Sequence, residues 1–203
     1  MTELLLVRHG ESQFNAERRW AGWEHKSPLT RQGEAEAQAL ADRLASERDI
    51  EAIYSSPLLR AWQTAQFIAK ALGLTPTPFT GLREVNVGHV GGLTMDEFAA
   101  KYPEDYERWR DRSNTAFTWP GGENRYDFFR RAPQAVARIA SMHPNHRVVV
   151  VCHGGVIRAT LAHYLPNDYG EWWTYSLHTG SLTRLLVAPD GNELLTLNEC
   201  GSP

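Results

Sequence analysis

The sequence predicts an α/β fold with a mainly parallel central sheet, helices covering it and a small helical lid insertion. Three observations carry that expectation. Two short, continuously apolar runs, Leu4-Leu5-Leu6-Val7 and Val148-Val149-Val150-Val151, read as strands buried on both faces. Strand-like and helix-like segments alternate from the N-terminus, which implies parallel pairing through right-handed crossovers. Both apolar runs deliver a histidine followed by glycine, as Arg8-His9-Gly10 and Cys152-His153-Gly154-Gly155. Open α/β sheets bind ligands off the carboxyl ends of their strands, so these two ends mark a site.

The elements follow in order. Gly10 permits a tight turn out of the first strand. It leads into a loop over about 13–26 holding Asn15, Arg18, Arg19, Trp20, Trp23, His25 and Lys26. A long loop beside a strand end commonly closes over a ligand. Thr30 reads as the N-cap of a helix over about 31–46, in which Ala37, Leu40, Ala41 and Leu44 fall at helical spacing. A short strand over 50–54 follows. Ser55-Ser56-Pro57 signals the next helix, about 58–72, and Gly73 ends it.

From about 75 to 123 the pattern loosens into the insertion, with short helices over about 95–101 and 104–112 split by Pro103. A stretch of that size is expected to lack a core of its own, so the whole chain, 1–203, reads as one domain. Helical spacing returns over 124–142, where Pro133 predicts a kink or a restart. The strand 147–152 feeds a helix over 156–164. Two strands, 181–187 and 193–198, close the chain as a hairpin around Asp190-Gly191.

Composition narrows the function classes. A chain of 203 residues can bury roughly 70% of the surface its unfolded form exposes, so its core needs no staple. Two cysteines make no disulfide framework and fit a reducing compartment. The apolar runs are only strand-length, and the N-terminus enters a strand without a charged leader, so a cytoplasmic protein away from membranes is expected. A net charge of -3 disfavours nucleic acid as a partner. Seven tryptophans, several outside the periodic segments, serve packing or the rim of a pocket, and aromatic-rich loops permit a homodimer.

In a parallel sheet both histidine-bearing ends point to one edge, where His9 and His153 can meet. Arg60 follows the end of another strand and joins Arg8 there. Two arginines and two histidines in one pocket repel unless an anion is bound, and phosphate is the natural one. Arginine offers a planar fork of donors to its oxygens, and the helix start at Gly154 adds backbone N–H groups. A neutral imidazole is a competent nucleophile toward phosphorus. A carboxyl group must then protonate the leaving alkoxide and later accept a proton from water. Glu84 is the candidate, with Glu11, Glu123 and Asp96 as alternatives.

Leu6-Val7-Arg8-His9-Gly10-Glu11-Ser12 resembles the signature of the histidine phosphatase superfamily, the phosphoglycerate-mutase-like proteins. Further segments resemble that family in the same order. They are Asn15, Ser27-Pro28-Leu29-Thr30-Arg31-Gln32-Gly33, Ser55-Ser56-Pro57-Leu58-Leu59-Arg60, Leu82-Arg83-Glu84, Pro120-Gly121-Gly122-Glu123 and His153-Gly154-Gly155-Val156-Ile157-Arg158.

The resemblance implies a three-layer α/β/α sandwich and a phosphatase that needs no metal or cofactor. It assigns His9 as the phosphorylated nucleophile and Glu84 as the proton donor. Arg8, Arg60 and His153 would hold the phosphoryl oxygens, with Asn15, Ser12 and Gly154 as further substrate contacts.

Glu84-Val85-Asn86-Val87-Gly88 looks like the phosphatase branch rather than the mutases. Gly88-His89-Val90-Gly91-Gly92 lacks the aromatic and acidic residues common there, and Thr179-Gly180-Ser181 replaces a usual Asn-x-Ser. The expected activity is hydrolysis of a small phosphorylated metabolite through a phosphohistidine. A mutase-type phosphotransferase and a non-catalytic phosphate-binding regulator are the alternatives. His25, Lys26, His89 and Thr179 are left to specificity or to the surface.

Overall fold

The computed structural model describes residues 1–165 and 169–200. Its centre is a six-stranded sheet in the order β3-β2-β4-β1-β5-β6, built from β1 (Thr2–Arg8), β2 (Ile50–Ser55), β3 (Thr77–Pro78), β4 (Arg147–Cys152), β5 (Ser181–Val187) and β6 (Glu193–Cys200). The pairs β1–β4, β4–β2 and β2–β3 are parallel, while β5 and β6 run antiparallel as a terminal hairpin. The two-residue edge strand β3 carries no apolar run that would announce it.

The apolar strands explain the layers. Leu4, Leu6, Val148 and Val150 face one side, where α6 (Arg125–Met142) and α7 (Gly154–Tyr164) cover them. Leu5, Val7, Val149 and Val151 face the other, under α2 (Arg31–Ala45) and α3 (Leu59–Leu72). All eight are fully buried, and alternation along each strand places neighbours on opposite faces. Burial of such a side chain contributes about 1.5–3 kcal/mol. The result is the three-layer α/β/α sandwich.

Local signals hold in most places. Thr30 caps α2 by accepting from the Gly33 N–H, and Gly73 ends α3 in the left-handed conformation. Helix α3 begins at Leu59, within one residue of the expected start. Three expectations are corrected. Helix α6 runs unbroken through Pro133. Gly10 does not adopt a positive φ; it is needed because a Cβ there would lie 2.3 Å from the Gly33 carbonyl oxygen of α2. The loop after β1 contains a one-turn helix, α1 (Gln13–Ala16).

The insertion corrects the sequence reading further. It contains α4 (Met95–Lys101) and α5 (Pro103–Arg110), with Pro103 in the first turn of α5 rather than in a gap. It also builds a buried cluster of its own from Val87, Val90, Phe98, Trp109, Phe117 and Trp119, to which the loop after β1 adds Trp20. Among the described residues no helix is long and apolar enough to cross a membrane.

Candidate active site

Adjacent parallel strands make the site. Arg8 pairs with Cys152 across β1 and β4, and the ladder extends one step further as the His9 N–H donates to the Cys152 carbonyl at 3.1 Å. His9 and His153 therefore leave neighbouring strands side by side, with ring centroids 5.1 Å apart at 65°. Both are buried, at 3% and 0% exposure.

The hydrogen bonds of His9 assign its tautomer. Nδ1 lies 2.7 Å from the Gly10 carbonyl oxygen, which can only accept, so Nδ1 carries the proton. Nε2 keeps its lone pair and accepts from Arg60 Nε at 3.1 Å. Burial, reinforced by the charges of Arg60 and Arg8, holds the imidazole well below its ordinary value, so the ring stays neutral. An imidazole in this state presents a nitrogen free of a proton, the form that can attack phosphorus.

Arg60 is 1% exposed and is fixed by the loop after β1, donating from Nη2 to the Gly22 carbonyl at 2.9 Å and from Nη1 to that of Glu24 at 3.4 Å. Burial lowers its pKa to about 10, still charged near neutrality. Arg8 donates from Nη1 to the Leu177 carbonyl at 2.5 Å, while its buried Nε has no partner among the described residues.

His153 Nε2 lies 2.8 Å from Ser56 Oγ, and that oxygen already accepts from the Leu58 N–H. Where the serine hydroxyl donates to Nε2, the ring hydrogen falls on Nδ1. That buried atom has no partner among the described residues. Burial and the surrounding cations, Arg60 first, keep His153 neutral as well. Two orphaned donors at one point, Arg8 Nε and His153 Nδ1, are what an oxyanion would satisfy.

Glu84 reaches the same place from the insertion side. Its Oε2 accepts from the Gly155 N–H at the start of α7 at 3.0 Å, and its Oε1 from the Val85 N–H at 2.9 Å. Its carboxylate is the one that Arg8, Arg60 and Arg158 all feel. Trp23 and Arg131, which the sequence reading left to packing or passed over, hold its backbone together with Glu123, one of the alternative acids. Trp23 Nε1 and Arg131 Nη2 both donate to the Glu84 carbonyl, and Glu123 grips Arg131 through two hydrogen bonds. Of the alternative carboxylates, Glu11 accepts from Thr30 and Glu123 is taken by Arg131. Neither of these nor Asp96 lines the cavity.

These groups sit at the inner end of a cavity of about 550 Å³. Arg8, His9, Asn15, Arg60, Glu84 and Gly154 line it. Asn15 turns its Oδ1 back to the Ser12 N–H and hydroxyl, leaving its amide nitrogen for the cavity. Ser12 and His153 are both fully buried and outside the lining; Ser12 holds Asn15 through its hydroxyl, and His153 stands behind the cavity floor against the His9 ring. His25 and Lys26 are exposed outside the cavity, His89 lies outside it too, and Thr179 donates to Glu36.

The outer wall is aromatic and basic. Trp20, Trp109, Trp119, Phe128, Phe129, Trp172 and Trp173 line it together with Arg19, Arg112, Arg125 and Arg158. Arg131 and Arg112 had no local signal in the sequence that tied them to a site, whereas Ser56 lay in the segment that carries Arg60 and Trp23 in the loop after β1. Arg158 had such a signal, as the end of the His153-Gly154-Gly155 segment.

Comparison with known proteins gives the family. The family model described as histidine phosphatase superfamily (branch 1) matches residues 4–200. Phosphoserine phosphatase 1 of Hydrogenobacter thermophilus is 32% identical over 198 residues, covering 98% of this chain and 92% of that one. The metal-independent phosphoserine phosphatase of Arabidopsis thaliana is 40% identical over 160 residues, covering 78% and 67%. Among solved structures, a mycobacterial glucosyl-3-phosphoglycerate phosphatase superposes with a TM-score of 0.85 at 28% identity, covering 97% of this chain and 98% of the other.

Proposed function

This chain belongs to the histidine phosphatase superfamily, branch 1, and from that premise we propose a two-step mechanism for its hydrolysis of a small phosphomonoester. In the first step His9 Nε2 attacks phosphorus, the P–O ester bond breaks, and the leaving oxygen takes a proton from Glu84. In the second, water attacks phosphorus and gives its proton to Glu84, the P–N bond breaks with its electron pair returning to His9 Nε2, and inorganic phosphate departs. Arg8, Arg60 and the Nδ1–H of His153 hold the three peripheral oxygens while charge spreads over them.

The observation that carries this reading is the tautomer of His9. A carbonyl fixes the proton on Nδ1, so the lone pair of Nε2 stands inside a cage of cations and unpartnered donors. Asn15 and the Gly154 backbone supply the remaining contacts. Phosphoserine, the substrate named for two relatives, is the first ester to test.

The experiment is a hydrolysis assay with a chelator present, paired with acid–base stability of trapped protein-bound phosphate. The expected result is turnover without added metal and a phosphoenzyme that is labile in acid, stable in alkali and absent from His9→Ala. A phosphoenzyme that persists in His9→Ala overturns the assignment.

A further inference from the structure

His9 is held at both ring nitrogens, and the two holds have different fates in the reaction. Arg60 Nε occupies the lone pair of Nε2 at 3.1 Å. That lone pair must become the P–N bond, so Arg60 gives it up for a phosphoryl oxygen when an ester binds. The hydrogen bond from Nδ1–H to the Gly10 carbonyl, 2.7 Å long, then orients the ring. As the P–N bond forms, the ring keeps its Nδ1 proton and gains positive charge. The Gly10 carbonyl is the acceptor that meets this charge.

That carbonyl belongs to the peptide between Gly10 and Glu11, and the other side of the same peptide is bound to a carboxylate. The Glu11 N–H donates to Glu36 Oε2 at 2.8 Å. Glu36 lies on α2 and does not line the cavity, so it does not meet the ester. Its Oε1 accepts from the Thr179 hydroxyl at 3.3 Å. Gly180, with a φ of +58°, packs against it; a Cβ there would fall 2.5 Å from that of Glu36.

The preceding peptide is fixed as well. The Gly10 N–H donates to Thr64 Oγ1 at 3.1 Å. That hydroxyl donates its own proton to the Arg60 carbonyl, one turn back along α3, at 2.9 Å. Thr64 is fully buried. Gly10 is therefore held on both flanks, with its carbonyl aimed at His9. A peptide is a conjugated unit. A carboxylate on its N–H shifts electron density onto its oxygen and makes the carbonyl a stronger acceptor.

We propose that Glu36 is a positioning residue for the nucleophile, acting through the Gly10–Glu11 peptide to orient the His9 ring and stabilise the charge it gains on phosphorylation. This rests on the hydrolase reading and adds a residue to its machinery. The two chemical steps feel the carboxylate in opposite senses. It favours formation of the P–N bond, in which the ring becomes charged. It opposes cleavage of that bond, in which the electron pair returns to Nε2 and the ring is discharged. A residue that only supports the fold would slow both steps alike. The charge of Glu36 also reaches Arg8, but Arg8 holds phosphoryl oxygens in both steps, so that route carries no opposite signs.

The test is Glu36→Gln, whose side-chain oxygen still accepts from the Glu11 N–H but bears no charge. Rapid-quench single turnovers of 4-nitrophenyl phosphate, with protein in excess and no added metal, give the rate constants for phosphoenzyme formation and decay. This phenol leaves without a proton, so Glu84 does not enter the first step. Both constants are first-order, so incomplete folding of the variant does not alter them. Formation is expected to slow by about fivefold, the difference between a charged and a neutral hydrogen bond, while decay holds steady or quickens. The Nδ1–H proton resonance of His9, identified by its loss in His9→Ala, should move upfield in Glu36→Gln. Formation and decay slowed alike overturn the proposal, as does formation that is not slowed or a resonance that stays in place. A native chain that forms no phosphoenzyme removes the hydrolase reading, and this assignment with it.

Discussion

The inner end of the cavity is made by strand ends and the outer end by the insertion between α3 and α6, and the two are fixed in different ways. At the inner end, His9 and His153 follow paired residues of β1 and β4, and their positions are set by backbone hydrogen bonds of the sheet. At the outer end, Trp20, Trp109 and Trp119 hold one another edge-on or tilted, with centroids between 5.0 and 6.3 Å, and no ladder sets their order. Sheet register cannot slip by one residue without turning every core side chain outward, whereas an aromatic cluster tolerates repacking. The rigid end is suited to a step whose geometry must not vary. The repackable end is suited to a choice of substrate.

That contrast predicts a graded series of substitutions. His9→Ala should lower kcat by about four orders of magnitude or more, whichever ester is used, because it removes the attacking atom. Glu84→Gln should cost about 10²–10⁴-fold on alkyl esters and far less on esters of acidic phenols, which leave without a proton. Equal losses on both ester classes would mean that another group protonates the leaving oxygen.

Ser56→Ala frees the proton position of His153 without touching substrate. It should lower kcat by roughly tenfold with little change in KM, as expected for loss of an orienting partner. Trp20→Ala, at the other end, should raise KM severalfold and leave kcat within about twofold. A fall in kcat for Trp20→Ala as large as that for Ser56→Ala would break the division between the two ends.

Acid separates activity from stability. Burial holds both imidazoles well below the ordinary 6.5 in the free protein, so no histidine ionisation should appear in the kcat/KM profile as the pH drops through 6.5. The unfolded chain binds those protons first. Stability is therefore complete above 6.5 and declines below it, by about 1.4 kcal/mol per pH unit for each histidine until the folded-state pKa is reached. Thermal melts across that range check the slope. A melting temperature indifferent to pH below 6.5 would mean that the histidines are not buried as neutral rings.

The sequence made some of this legible and hid the rest for physical reasons. Four consecutive apolar residues followed by Arg8-His9 can be read directly, since burial on both faces and a polar strand end leave a local trace. That β1 and β4 are neighbours depends on non-local pairing and leaves none. The serine–proline signal at Ser56-Pro57 placed the helix start to within one residue, but not that the Ser56 hydroxyl meets His153 as well as the Leu58 N–H, because that contact joins two strands' ends far apart in sequence. The core of the insertion was missed because its members come from unrelated places, Trp20 from the loop after β1 and Phe117 from a turn, with no shared period. Arg131 looks like any charged residue on α6 until its carbonyl partners at Gly81, Arg83 and Glu84 are seen together.

The meeting of Glu84 with the start of α7 has a practical consequence. A Cβ on Gly155 would fall 2.2 Å from Glu84 Oε1, so the clearance there is less than one methyl group. Gly155→Ala would push the carboxyl aside while leaving His9, Arg8, Arg60 and His153 in place. Such a protein would still seat a phosphate ester yet release alkyl alcohols slowly. It could serve as bait, holding an unknown cellular ester long enough for mass spectrometry to identify it.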